Sequence, residues 1–322
     1  TQLTFAIALA GLALGNPRFI YIFLAALGVG VGNALNAPAW SAMLPSLVRP
    51  VDLPGALSLN SVVINGSRVV GPIIVAVLSQ VGVTTAGFFF MNAATYLFVI
   101  FALMVVNIPT FTPDPTQGWR RFTSGISLAR QISGVSRLLL TLATFSLFSL
   151  PYVGLFPAVA HVNFGIAEDG SIYKWLYATW GLGAALGGLA IGTKFSHRDQ
   201  RKLVQYGFVG FAVSMVFFAI SRSAVPAFIF GFILGFAYFF TTTAMSIVVQ
   251  SRLKPEMRGR VMSLWFMSFG GTVPLGNMLF GPIVDQYGAR WLLLFGAAWA
   301  LFLAWWCNVS ALDAKNGYLS SK

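Results

Sequence analysis

Residues 203–221 read LVQYGFVGFAVSMVFFAIS and residues 225–249 read VPAFIFGFILGFAYFFTTTAMSIVV. Neither stretch holds a charged side chain, and only Arg222-Ser223-Ala224 separates them. About 20 apolar residues in helical conformation cross about 30 Å of hydrocarbon. The pair therefore predicts two membrane-spanning helices joined by a tight turn. Similar runs recur outward in both directions, near 2–15, 19–44, 56–79, 84–107, 137–160, 173–194, 260–284 and 290–309. Over its 322 residues the chain is 57% hydrophobic and 9% charged, with a mean hydropathy of +0.79. A soluble domain carries about 25% charged residues, so no water-facing surface can be built here. That excludes a nuclease, a cytosolic enzyme, a secreted disulfide scaffold and a disordered chain.

The net charge of +12 is an orientation signal, because of where it sits. Fifteen basic residues fall in one alternate set of loops and tails, among them Arg49, Arg120, Arg121, Arg130, Arg137, Lys194 and Arg252. The other loops hold four: Arg18, Lys174, Arg222 and Arg290. By the positive-inside rule the first set, and both ends of this chain, face the cytoplasm. No continuous basic stripe with interleaved aromatics is present, so nucleic acid is not a partner. Cys307 is the single cysteine, and His161 and His197 lack metal-ligand spacing; no metal or cofactor site follows.

Shifting the sequence by 205 positions aligns Phe23 with Phe228, Gly30 with Gly235, Arg49-Pro50 with Lys254-Pro255, Ser58-Leu59 with Ser263-Leu264, and Gly66 and Gly71 with Gly271 and Gly276. One register held across two spans and a loop predicts two homologous bundles. The first four spans then correspond to the last four, while the spans at 137–160 and 173–194 have no counterpart. The expected organisation is a four-helix portion of an N-terminal bundle over 1–107, a cytoplasmic linker over 108–136, and a C-terminal six-helix bundle over 137–322. On this reading the chain has ten spans and lacks its opening two. A short amphipathic helix is expected near 119–133.

Several polar residues fall within these spans. Arg68 is the sharpest, because a guanidinium at mid-bilayer costs at least about 2.5–3.5 kcal/mol and must face a cavity, a carboxylate or an anionic substrate. Asn36, Asn65, Tyr152, Thr241, Thr242 and Asn277 are further candidates for a substrate cavity or for coupling. The threonines can instead bond their own helix, and the aromatic set Phe145, Phe148, Tyr152 and Phe156 can equally be packing. Gly71, Pro72, Gly276 and Gly281 read as close-packing and kink positions. Arg198, Arg201, Lys202, Arg258 and Arg260 sit on tight cytoplasmic loops, where ion pairs can be made in one conformation and broken in another. Positive-inside selection accounts for them equally well. No acidic residue lies near the middle of a span.

Four stretches carry a family resemblance. Asn36-Ala37-Pro38-Ala39 through Leu44-Pro45-Ser46-Leu47-Val48 is similar to a fourth helix and its following loop in the major facilitator superfamily. Gln250, Pro255 and Arg258-Gly259-Arg260-Val261-Met262-Ser263 resemble its loop between helices ten and eleven. Gly71-Pro72 matches its exporter motif, although Val75 and Ala76 stand where glycines are common. The loop at 192–202 is similar to a second copy of the superfamily's loop motif, with Ser196 replacing the usual acid. Within that superfamily the chain most resembles the drug and siderophore exporters, the group of the enterobactin exporter and macrolide-efflux proteins. The resemblance implies an all-α membrane protein of the major facilitator fold. It also implies a monomeric secondary exporter in the bacterial inner membrane that moves a small amphipathic molecule by alternating access, coupled to protons. A lipid-handling enzyme or a non-transporting membrane protein is the alternative, but no polar catalytic cluster or filter-like loop marks either one.

Overall fold

The computed structural model describes residues 1–43, 47–49, 63, 66–67, 70–71, 73–75, 77–106, 119–167, 170–253 and 255–308. Everything described is helix, turn or short connection. The chain falls into two compact units, Thr1–Val63 with Ile74–Pro115, and Ile64–Ile73 with Thr116–Lys322.

In the first unit, α1 (Gln2–Leu12) packs on α2 (Phe19–Met43) and on α3 (Thr85–Val105). Gly28 and Gly32, one turn apart on α2, admit Phe5 and Gln2 of α1 where a β-carbon would stand. This small-residue face lets two helices approach in a medium that offers no hydrophobic drive between them. Gln2 Nε2 donates to Asn33 Oδ1 at 2.6 Å across the same contact. The Thr84 side chain caps α3 by accepting from the Gly87 amide. The described residues between 63 and 80 are helical.

The second unit holds α4 (Trp119–Gln131), α5 (Val135–Phe148), α6 (Pro151–Gly154), α7 (Phe156–Phe164), α8 (Ser171–Gly192), α9 (Gln200–Ile220), α10 (Ala224–Ser251), α11 (Pro255–Phe266), α12 (Thr272–Tyr287) and α13 (Ala289–Trp306). Its core is one cluster running from Ala129 to Cys307. The α9 helix shows what kind of medium surrounds it. Val204, Phe208, Phe211, Met215 and Phe218 are buried, while Tyr206, Val209, Val213, Phe217 and Ile220 on the opposite stripe are exposed. A helix apolar on all sides, with half of that surface outward, is solvated by lipid. On α3 the outward residues are just as apolar, with Phe98 75% and Met104 81% exposed.

Four described helices, α3, α9, α10 and α13, are long and apolar enough to span on their own. Two expected spans differ in form from continuous helices. The 137–160 span is divided into α5, α6 and α7, because Pro151 and Pro157 each lack an amide to continue the ladder. The 260–284 span is interrupted by a π-helical turn over Met267–Gly271 between α11 and α12. Neither α11 nor α12 reaches a spanning length, although the chain continues in helical conformation through the turn. The helix expected near 119–133 runs over Trp119–Gln131.

Candidate functional site

The centre of the second unit is organised by glycine. A β-carbon at Gly183 or Gly187 of α8 would overlap the backbone oxygen of Phe232 or Phe236 on α10, and one at Gly235 would overlap that of Trp180. With their backbones this close, α8 and α10 bring large rings together on either side of the contact. Tyr173, Tyr177, Trp180, Tyr238 and Phe269 stack in sequence, with centroid separations of 6.3, 5.3, 6.1 and 6.3 Å and interplanar angles of 30° or less. The middle of this ladder is buried; Tyr173, Tyr177 and Phe269 at its ends are half-exposed. Offset and stacked rings of this kind contribute about 0.5–1.5 kcal/mol per pair beyond their area.

Tyr152 meets the ladder from α6. It is fully buried, and its hydroxyl accepts from Trp180 Nε1 at 3.2 Å. Phe145 and Phe156 are also fully buried, whereas Phe148 packs on Phe280, Phe295 and Trp299. The Thr241 and Thr242 hydroxyls donate to Ala237 O (2.6 Å) and Tyr238 O (3.1 Å) in their own helix. Thr241 also fills the space opposite Gly207 of α9.

A second contact joins the two interrupted spans. Thr272 Oγ1, at the end of the π turn, donates to Ser268 O at 2.8 Å and to Ala143 O of α5 at 3.2 Å. Gly276 closes on Leu147 O and Pro151, and the Asn277 amide lies against Gly154. The Asn277 Oδ1 is buried without a hydrogen-bond partner. A π turn at the point where a broken helix crosses another is a recurrent feature of functional segments. Among the described residues, a β-carbon at Gly71 or Gly281 would meet nothing within 4 Å.

Asn36 is exposed in the first unit, beside Thr1, Gln2, Gly32 and Leu35, around a depression of about 300 Å³. Arg68, Asn65 and Pro72 lie outside the described residues, and of Arg258 only the helical backbone of α11 is described. Sequence reasoning singled out Tyr152 but missed Tyr177, Trp180, Tyr238 and Phe269. The glycine spacing Gly183-x3-Gly187 and Gly231-x3-Gly235 was the available signal that α8 and α10 pair.

The turn between α8 and α9 carries its own ion pair. The Asp199 carboxylate caps α9, accepting from the Arg201 amide at 3.0 Å, from Nε at 2.9 Å and from a terminal guanidinium nitrogen at 3.1 Å. The hydrogen bond from Arg201 holds the Asp199 carboxyl below its ordinary range. Arg198 and Lys202 are exposed and have no ion-pair partner among the described residues. Arg260 is half-buried on α11. A carboxyl whose folded pKa is depressed stabilises the fold above its unfolded pKa and loses that contribution as pH falls through the folded value. Asp199→Ala is expected to cost about 1 kcal/mol at neutral pH, mostly from the lost cap. Asp199→Asn keeps the cap and is expected to cost only a few tenths, since an exposed ion pair contributes little. Thermal melting of the purified variants at pH 7 and near pH 3 checks this: the Ala variant's deficit should shrink at low pH.

A family model described as transmembrane secretion effector matches residues 2–317. The macrolide efflux protein A of Streptococcus pyogenes is 26% identical over 282 residues, which cover 83% of this chain and 67% of that protein. The macrolide efflux protein A of Enterococcus faecalis is 24% identical over 255 residues, 76% of this chain and 77% of that protein. The staphyloferrin A transporter of Staphylococcus aureus is 24% identical over 260 residues, 80% of this chain and 64% of that protein.

Proposed function

We propose, since this chain belongs to the transmembrane secretion effector family of the major facilitator superfamily, that it exports a bulky amphipathic small molecule, driven by protons and by alternating access of two bundles. That it is a multi-pass membrane transporter of the drug and siderophore type follows from the family. The substrate class rests chiefly on the character of the second unit. Its aromatic ladder ends in half-exposed rings, and its nearby polar groups, Thr272 and Asn277, are neutral. Charged side chains on α5, α8, α9, α10, α12 and α13 occur only in the turns at the helix ends. A wall of this kind suits large apolar faces with a few hydrogen-bonding groups, as on a macrolide.

Net export against a concentration gradient needs an energy source. The sequence has no phosphate-cradling Gly-rich loop, and proton flux is the gradient we assign. The cytoplasmic set of loops, with Arg198, Arg201, Lys202, Arg258 and Arg260, would form the inner gate, and the basic bias supports an orientation with both ends of this chain in the cytoplasm. Arg68 supports a second substrate class, an anionic siderophore, and the similarity to a staphyloferrin A transporter points the same way.

Cells expressing the protein should accumulate less labelled macrolide than cells without it, and a protonophore should abolish the difference. A labelled carboxylate siderophore in the same assay separates the two substrate classes. Efflux that continues undiminished with the protonophore present would overturn the proton-driven reading, and unchanged accumulation of both compounds would overturn export.

A further inference from the structure

The α4 helix turns sharply away from the helix that follows it. Its segment Gly125–Gln131 and the following α5 are bent by 117°, with Gly134 at φ 76° supplying a left-handed corner that other residues adopt poorly. With α5 entering the bilayer, α4 runs nearer the membrane plane than the membrane normal. One side of α4 is fastened to the protein. A β-carbon at Gly125 would stand 3.1 Å from the Arg260 carbonyl oxygen of α11, and Ala129, one turn on, is 3% exposed.

The free side is polar and basic. Ser127, Arg130 and Gln131 are exposed and, with half-buried Ile126, line a shallow depression of about 490 Å³. Arg130 has no acidic partner among the described residues, and from 115 to 167 the sequence holds Arg120, Arg121, Arg130 and Arg137 without one Asp or Glu. The corner adds two more guanidinium groups. Arg137 lies 4.3 Å from the Trp306 ring centroid, and Arg252 donates to Ser133 O at 2.6 Å. Several cations therefore gather within a turn or two of the point where the chain enters the membrane.

We propose that this corner seats an anionic phospholipid of the cytoplasmic leaflet, with Arg130 on its phosphate and Ile126 against the apolar region below. Charge complementarity selects the headgroup. Position selects a lipid over a soluble anion, since a three-residue corner, Ile132–Gly134, ties α4 to a helix inside the bilayer, and Ile126 and Arg130 share one face, four residues apart. The proposal rests on the spanning direction of α5 and is independent of the exported substrate.

Native mass spectrometry of the purified full chain with equal amounts of phosphatidylglycerol and phosphatidylcholine tests it. The wild type should retain the glycerol lipid over the choline lipid, and Arg130→Gln should lower that preference about fivefold, the effect of one basic residue near a membrane surface. Arg130→Lys should keep most of it, and Lys174→Gln, on the opposite set of loops, should leave it unchanged. Millimolar inorganic phosphate should not displace the bound lipid. Equal retention of the two lipids by the wild type, an undiminished preference in Arg130→Gln, or displacement by phosphate would each overturn the assignment.

Discussion

Gly235→Val is expected to leave little correctly folded protein, with a cost of about 3 kcal/mol or more. Overpacking a core usually costs about 1–3 kcal/mol, because a neighbouring side chain can turn aside. At Gly235 the obstacle is the backbone of Trp180, which has no rotamer to change, and Gly183 and Gly187 impose the same condition from the other helix. Separating α8 from α10 would also unstack Trp180 from Tyr238 and pull Trp180 Nε1 from the Tyr152 hydroxyl. A buried donor left without its acceptor adds about 1–3 kcal/mol. Gly281→Ala is the comparison: its new β-carbon meets nothing described within 4 Å, and exchanging glycine for alanine inside a helix favours the helix by up to about 1 kcal/mol. Size-exclusion profiles and thermal melting of the two variants should therefore diverge. A monodisperse Gly235→Val protein melting with the wild type would refute the close helix contact.

Arg68→Ala is expected to abolish export while the chain still inserts and reaches the membrane in wild-type amounts. The reasoning is energetic. A cation within a span carries an insertion cost of at least about 2.5–3.5 kcal/mol, and removing it should ease insertion. A loss of transport then reports a lost interaction with substrate, with a carboxylate or with a water-filled path. Export at the wild-type rate from Arg68→Ala vesicles would assign the residue to structure instead.

The membrane class and the four long apolar helices α3, α9, α10 and α13 were legible in the sequence because hydration cost is a local property. Each charged group carries its own penalty for entering hydrocarbon, so stretches such as 203–221 and 225–249 announce themselves without reference to any partner. The positive-inside bias is local in the same sense, and it yields the expected orientation of every loop. The amphipathic α4 was legible too, since its basic and apolar residues repeat with helical period within thirteen residues.

The candidate site was legible only in fragments. Tyr152 stood out among neighbouring aromatics, but its partner Trp180 lies 28 residues away and on another helix. Thr241 and Thr242 read equally well as cavity groups or as self-bonded residues; their hydroxyls bond their own helix. The 137–160 run read as one span, and its division into three helices at Pro151 and Pro157 came only from the structure; nothing local to Met267–Gly271 distinguishes a π turn from an ordinary helical one.

One-dimensional information thus sufficed for the membrane class and for the four helices long and apolar enough to span, because both depend on the transfer energy of each residue alone. Tertiary packing decided how α8 and α10 pair, where the ring ladder runs, and which helices break where they cross. Those outcomes depend on steric fit between backbones and rings far apart in the chain, and no property of a single segment contains that fit.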